Sequence, residues 1–267
     1  MNRRHFLQAS LAASASALVF PTAYADGPIT QINDAINKSG RQRMLSQRLA
    51  KSYLQIGQSI DLIRSKKIFS ASVALFERQL LELEVYAPTP ENKATLADLR
   101  KAWAAYRTMF VSNTPNRQDA KAIMVANEQV LALAHASTVQ LEKTSGSVAA
   151  RLVNISGRQR MLSQRMAKFY QAINWGVASS DALINLAKAR DEFLLGMAEL
   201  SNSPKNTPAI NAEITLAQQQ WFFFDQALKS SADSVETKLR FATNVATTSE
   251  RILETMDRIT GMYEQLA

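Results

Sequence analysis

A 13-residue stretch occurs twice in this chain, and that duplication constrains the fold more than any other feature. Ser39-Gly40-Arg41-Gln42-Arg43-Met44-Leu45-Ser46-Gln47-Arg48-Leu49-Ala50-Lys51 recurs as Ser156-Gly157-Arg158-Gln159-Arg160-Met161-Leu162-Ser163-Gln164-Arg165-Met166-Ala167-Lys168, with 12 of the 13 positions identical. The match continues more weakly: Asn37 pairs with Asn154, Tyr53 with Tyr170, Phe76 with Phe193 and, after a one-residue shift, Trp103 with Trp221. Two modules of roughly 115–120 residues, each an ordinary domain size, therefore follow one another.

Residues 1–25 read as an export signal. Arg3-Arg4 precedes His5-Phe6-Leu7-Gln8, an apolar and small-residue run reaches Phe20, and Ala23-Tyr24-Ala25 offers a cleavage site. The run is too short to remain as a membrane span. Arg-Arg-His-Phe-Leu-Gln resembles a twin-arginine signal, which exports folded proteins. The expectation is a periplasmic protein with no stable membrane span after processing, its modules at 26–145 and 146–267. Without Arg3 and Arg4 the formal charge falls from +8 to +6. Nucleic acid is a poor partner outside the cytoplasm, and no aromatic-rich basic groove is visible. Acidic small ligands or acidic partner surfaces remain. The absence of cysteine excludes disulfides, thiolate metal sites and c-type haem attachment, so packing must hold the fold.

Both modules are rich in Leu, Ala, Gln, Lys, Arg and Glu and lack alternating β-type runs. Breakers such as Ala87-Pro88-Thr89-Pro90 and Ser201-Asn202-Ser203-Pro204 divide them into helices at 28–65, 67–86, 91–112 and 117–144, then 148–178, 180–201, 207–231 and 233–266. Short connections favour antiparallel neighbours. The fold class is all-α, two tandem antiparallel four-helix bundles, arranged side by side as a pseudo-dimer if the join at 144–147 is a turn. A continuous helix there would stack them end to end.

The first helix of each module carries two stripes that read as buried. One is an ordinary core face: Leu45, Leu49, Ser52, Ile56, Ile60 and Ile63, matched by Leu162, Met166, Phe169, Ile173 and Val177. The other is a heptad seam, Ile32, Ile36, Gly40, Arg43, Gln47, Ala50 and Leu54, matched by Ala149, Val153, Gly157, Arg160, Gln164, Ala167 and Gln171. If the seams meet, two arginines approach across an interface, and an unpaired buried charge costs several kcal/mol. No Asp or Glu occurs from Ala35 through Ile60 or from Gly146 through Ser180. A bound anion would satisfy the pair, with the guanidinium forks donating to its oxygens, and Gly40 and Gly157 would leave room for it. One isolated copy would read as a solvated basic face. Two near-identical copies in otherwise diverged modules do not, because packing alone tolerates substitution.

Arg41, Arg48, Lys51, Arg158, Arg165 and Lys168 fall off the seam and read as exposed or salt-bridged, while Met44, Met161, Trp103 and Trp221 read as core. An enzymatic reading lacks support. Di-iron bundles need Glu-x-x-His pairs, but the one histidine beyond the leader is His135, position 132 is alanine, and that histidine reads as structural. No nucleophile–base set, phosphate loop or metal cluster is present, so no cofactor is expected.

Asn-x-Ser-Gly-Arg-Gln-Arg-Met-Leu-Ser-Gln-Arg, near the start of a long first helix in both modules, resembles the motif of PilJ-type sensor domains of chemotaxis transducers. It is also similar to the periplasmic signature of nitrate/nitrite sensor kinases. The resemblance implies a dimerising four-helix bundle with nitrate on the two-fold axis, held by one Arg from each motif and by backbone near the motif Gly. In this chain those positions are Arg43, Arg160, Gly40 and Gly157. Asn37, Asn154, Gln47 and Gln164 complete the candidate ligand-binding set. Two modules would then resemble a covalently joined dimer with one site for nitrate or nitrite. Lys38 in one copy stands opposite Ile155 in the other, which would make that site asymmetric. No kinase or methyl-accepting region is present, so the expected partner is a membrane receptor or transporter that receives ligand status. A second reading is an interaction protein whose arginine seam docks an acidic partner surface without a small ligand.

Overall fold

The computed structural model describes residues 28–111, 114–230 and 234–266, and the export signal read at 1–25 lies outside them. The described residues form helices α1 (Ile32–Gly57), α2 (Leu62–Tyr86), α3 (Pro90–Val111), α4 (Arg117–Ser145), α5 (Val148–Trp175), α6 (Ala182–Ser201), α7 (Pro208–Lys229) and α8 (Val235–Glu264), with no strand among them. Local chemistry sets most of the boundaries. Asn116 caps α4 by accepting from the Gln118 and Asp119 amides at 3.0 and 2.9 Å, and Ser147, Thr207 and Ser234 cap α5, α7 and α8 in the same way. Pro90 and Pro208 open α3 and α7, where no amide hydrogen is needed.

The join between modules is a turn. Gly146 adopts a left-handed conformation (φ 62°) and returns its amide to the Glu142 carbonyl, after which Ser147 caps the next helix. Short links make successive helices antiparallel, so α1 and α5 run parallel, and they pack on each other along their length. In the first module α1 packs on α2 and α4, and α3 on α4; α5–α8 repeat that scheme. The Trp pairing also holds: Trp103 stacks on Phe76 at 4.0 Å between ring centroids, and Trp221 on Phe193 at 4.5 Å.

The largest boundary difference from the sequence reading is at the end of α1. The first helix ends at Gly57, not 65, and the chain reverses through Gln58–Asp61, with Ser59 and Asp61 at positive φ. Gly57 sits against the Trp175 ring, where even a Cβ would come within 2.2 Å of Cη2. Ile60 is still buried, but in a small cluster with Ala242 and Ala246, whereas Ile63 lies on α2 and is 86 % exposed. In the second module Ile173 is likewise exposed, because α5 stops two residues later at the left-handed Gly176. Ile56 is half-buried, and the remaining core-stripe positions Leu45, Leu49, Ser52, Leu162, Met166, Phe169 and Val177 are buried.

Buried apolar residues of both modules form one continuous core, running from Leu45 and Phe76 through Met161 and Leu162 to Phe193 and Ile259. Each stacked Phe therefore supports the same cooperative unit. Phe76→Ala and Phe193→Ala are each expected to cost about 3–5 kcal/mol. In urea both should shift one shared transition, followed alike by circular dichroism and tryptophan fluorescence, without splitting it in two.

Candidate functional site

Helical side chains lean toward the N-terminus, so an arginine lies back over the residue one turn earlier. Arg43 lies over Gly40 and Arg160 over Gly157. An ideal Cβ on Gly40 would stand 3.1 Å from Arg43 Nη2 and 3.7 Å from Arg160 Nη2; on Gly157 the same distances to Arg160 and Arg43 are 3.1 and 3.6 Å. The paired glycines thus provide the space in which both guanidinium groups lie, and both arginines are completely buried. Each reaches across the interface. Arg43 Nη2 donates to the Asn154 carbonyl at 3.3 Å, while Arg160 Nη2 donates to the Asn37 carbonyl at 3.3 Å and to Asn37 Oδ1 at 2.7 Å. Because each seam is filled by the other, neither is open for a partner helix to dock along it.

The counter-charge comes from the last helix of each module. Three positions on α4 and three on α8 correspond at a constant spacing of 122 residues: Glu128 with Glu250, His135 with Asp257, and Glu142 with Glu264. The outer pairs act alike. Glu250 binds Arg48 and the buried Lys51 of the opposite module, and Glu128 binds Arg165 and the buried Lys168. Asn37 donates to Glu264 and Asn154 to Glu142. The middle pair breaks the symmetry. Asp257 bridges Arg160 and Arg41, whereas His135 meets Arg43 through Nδ1 at 3.3 Å and supplies no carboxylate.

Burial followed by the neighbouring Arg158 and Arg160 lowers Arg43 to about 9, which leaves it charged at neutral pH. Desolvation, then Arg43 and Arg158, push His135 down to about 4, so the imidazole is neutral. Glu250, although buried, is held down at about 2 by Arg48 and Lys51, and Asp257 lies well below the ordinary carboxylate range because of Arg41 and Arg160. Arg43 has no salt-bridge partner among the described residues, and its Nε is buried without an acceptor.

Six of the eight residues singled out in the sequence, Asn37, Gly40, Arg43, Asn154, Gly157 and Arg160, come together at this crossing. Gln47 and Gln164 lie one turn further on and point their amides elsewhere: Gln47 donates to Asn127 Oδ1 at 2.8 Å and Gln164 to the Ser249 carbonyl at 3.0 Å. Lys38 turns to Asp34 and Glu82, so the asymmetry arises from Asp257 and His135 instead. Residues 35–60 and 146–180 hold no acid, and the counter-charge of Arg160 is instead Asp257, which arrives from far along the chain. Asp257 and His135 went unrecognised as site residues; the repeated spacing of the acids on α4 and α8 is the signal that marks them.

Residues 30–138, and again 143–243, match the family described as type IV pili methyl-accepting chemotaxis transducer N-terminal, PilJ. The chain belongs to the PilJ family. Its two PilJ regions are the two modules of the duplication, and the family is sensory, so a signal-sensing role follows from membership. The second PilJ match ends at 243, short of Glu250 and Asp257, which nevertheless complete the pattern of the first. Comparison with curated proteins and with solved structures finds no match to the chain. No helix among the described residues is long and apolar enough to cross a membrane.

The titrating groups make stability fall with acid in two stages. Below pH 6.5 the unfolded chain takes up a proton that folded His135 refuses until about 4, and below 4.5 the unfolded carboxylates do so while Glu250 resists until about 2. Urea midpoints measured from neutral pH to about 3 should decline through both windows. His135→Gln should remove the upper stage and leave the lower one.

Proposed function

We propose that this protein is a periplasmic sensor of a small oxyanion, nitrate or nitrite, held between α1 and α5 by Arg43 and Arg160. One observation carries the reading: two fully buried guanidinium groups share the space before paired glycines, and Arg43 has no carboxylate of its own. A planar oxyanion matches the planar donor forks and supplies the missing negative charge in a site of low dielectric. Arg41 and Arg160 share Asp257, whereas Arg43 has no salt-bridge partner among the described residues. The leader favours the periplasm, and membership in a transducer family favours a membrane receptor or transporter as the listener.

Thermal unfolding in nitrate, nitrite, sulfate and chloride at matched ionic strength tests this directly. An anion bound only by the native state adds ~2.7 kcal/mol at a hundredfold excess over its Kd. The stabilisation should be specific to nitrate or nitrite and be lost in Arg43→Ala and in Arg160→Ala, with circular dichroism confirming that both variants fold. Asp257→Asn should enlarge it, because a competing carboxylate is removed. No shift beyond that of chloride, or an equal shift in both arginine variants, would overturn the proposal.

A further inference from the structure

The broken symmetry at His135 coincides with a cleft. A cavity of about 280 Å³ opens between α4, α5 and α6, with Arg43 and His135 at its base and Leu131, Met161, Leu162 and Ala189 among its walls. Arg158, Arg165, Lys188, Glu128 and Glu192 surround it. On the opposite side of the pseudo-two-fold, the charges are arranged differently. Asp257 draws Arg41 inward until only 6 % of its side chain is exposed, while Arg158, its counterpart, remains 37 % exposed and bonds Glu192 at 2.6 Å.

Helix α6 differs from α2 in the same place. At the 117-residue spacing of the duplication, Asn185, Lys188 and Glu192 stand where the first module has Ile68, Ala71 and Leu75. The cleft side thus carries polar groups on α6 just where α4 has a histidine in place of the carboxylate of α8. The charges do not balance. Glu128 is engaged by Arg165 and Lys168, and Glu192 by Arg158, which leaves Arg43 and Lys188 without acidic partners among the described residues. Arg158 uses Nη2 for Glu192, so its remaining donors are free to meet another acceptor without breaking that pair.

We infer that this cleft binds a small organic acid whose carboxylate joins Arg43 to Arg158, as the Asp257 carboxylate joins Arg160 to Arg41. The other half of the molecule is the template. The apolar walls take the carbon skeleton, and Lys188 at the rim favours a second negative charge, so dicarboxylates should bind better than monocarboxylates. This site is lateral to the α1–α5 crossing and takes a different ligand, although both would use Arg43.

Calorimetric titration of the full mature protein with acetate, benzoate, succinate and glutarate tests the inference, with unfolding midpoints as a second readout. At least one dicarboxylate should bind more tightly than acetate. Lys188→Glu should weaken it roughly tenfold, about 1.4 kcal/mol, while leaving any nitrate response unchanged. His135→Asp should abolish binding and raise the midpoint in the absence of ligand, because it restores the internal carboxylate. Absence of binding by all four acids, or affinity unchanged in His135→Asp, would overturn the inference. If the acids fail while an acidic peptide binds in their place, the cleft is a protein-docking site and the inference falls as well. Failure of nitrate with success of the acids would separate this site from the axial one.

Discussion

The structure depends on placing guanidinium and ammonium groups between helices where water is excluded. Removing a charge from water costs several kcal/mol even after relaxation, and only close, well-directed acceptors offset that cost. Every other choice in the centre of the molecule answers this demand. Glycines stand one turn before Arg43 and Arg160 so that the guanidinium groups fit. Asparagines stand opposite so that a carbonyl or amide oxygen meets each fork. Acids arrive from α4 and α8, on the far side of the interface from most of the cations they serve.

That crossed arrangement makes the modules interdependent. Lys51 and Arg48 belong to the first module and their acid to the second; for Lys168 and Arg165 the relation is reversed. Pulling the modules apart would strand charges on both sides, and the apolar core offers no alternative seam because it is continuous through both halves. The α1–α5 contact therefore has the character of an interior, although a symmetric dimer would bury the same surface between two chains.

The duplication, the helical class and the arginine crossing were legible because they depend on local periodicity and on a repeat that needs no partner information. The helix ends were less so. Nothing around Gly57 in sequence announces that Trp175, 118 positions away, presses against it, or that Ser59 and Asp61 will take positive φ. The off-seam cations read equally well as exposed or salt-bridged, and the structure pairs all six. Asp257 was missed for the reason that makes it informative: an ion pair spanning 97 residues leaves no local pattern. Gln47 and Gln164 lie on the same seam as Arg43 and Arg160, one turn further on, but a shorter neutral side chain finds α4 or α8 before it reaches across.

The value of a tandem chain over a pair of identical chains lies in His135 and Asp257. A symmetric dimer of the second module would carry the aspartate twice, and each buried arginine would be satisfied from within. A symmetric dimer of the first would carry the histidine twice and leave both arginines without a carboxylate, at twice the desolvation cost. Joining one of each gives a molecule in which half of the central charge is settled by the fold and half is left over. The settled half holds the helices in register through Arg41, Arg160 and Asp257. The other half keeps a buried cation, Arg43, that meets only the neutral His135 ring and the Asn154 carbonyl among the described residues. A ligand can change a protein only through interactions that differ between its bound and free states. Under the proposed function, Arg43 is where such a difference would be made.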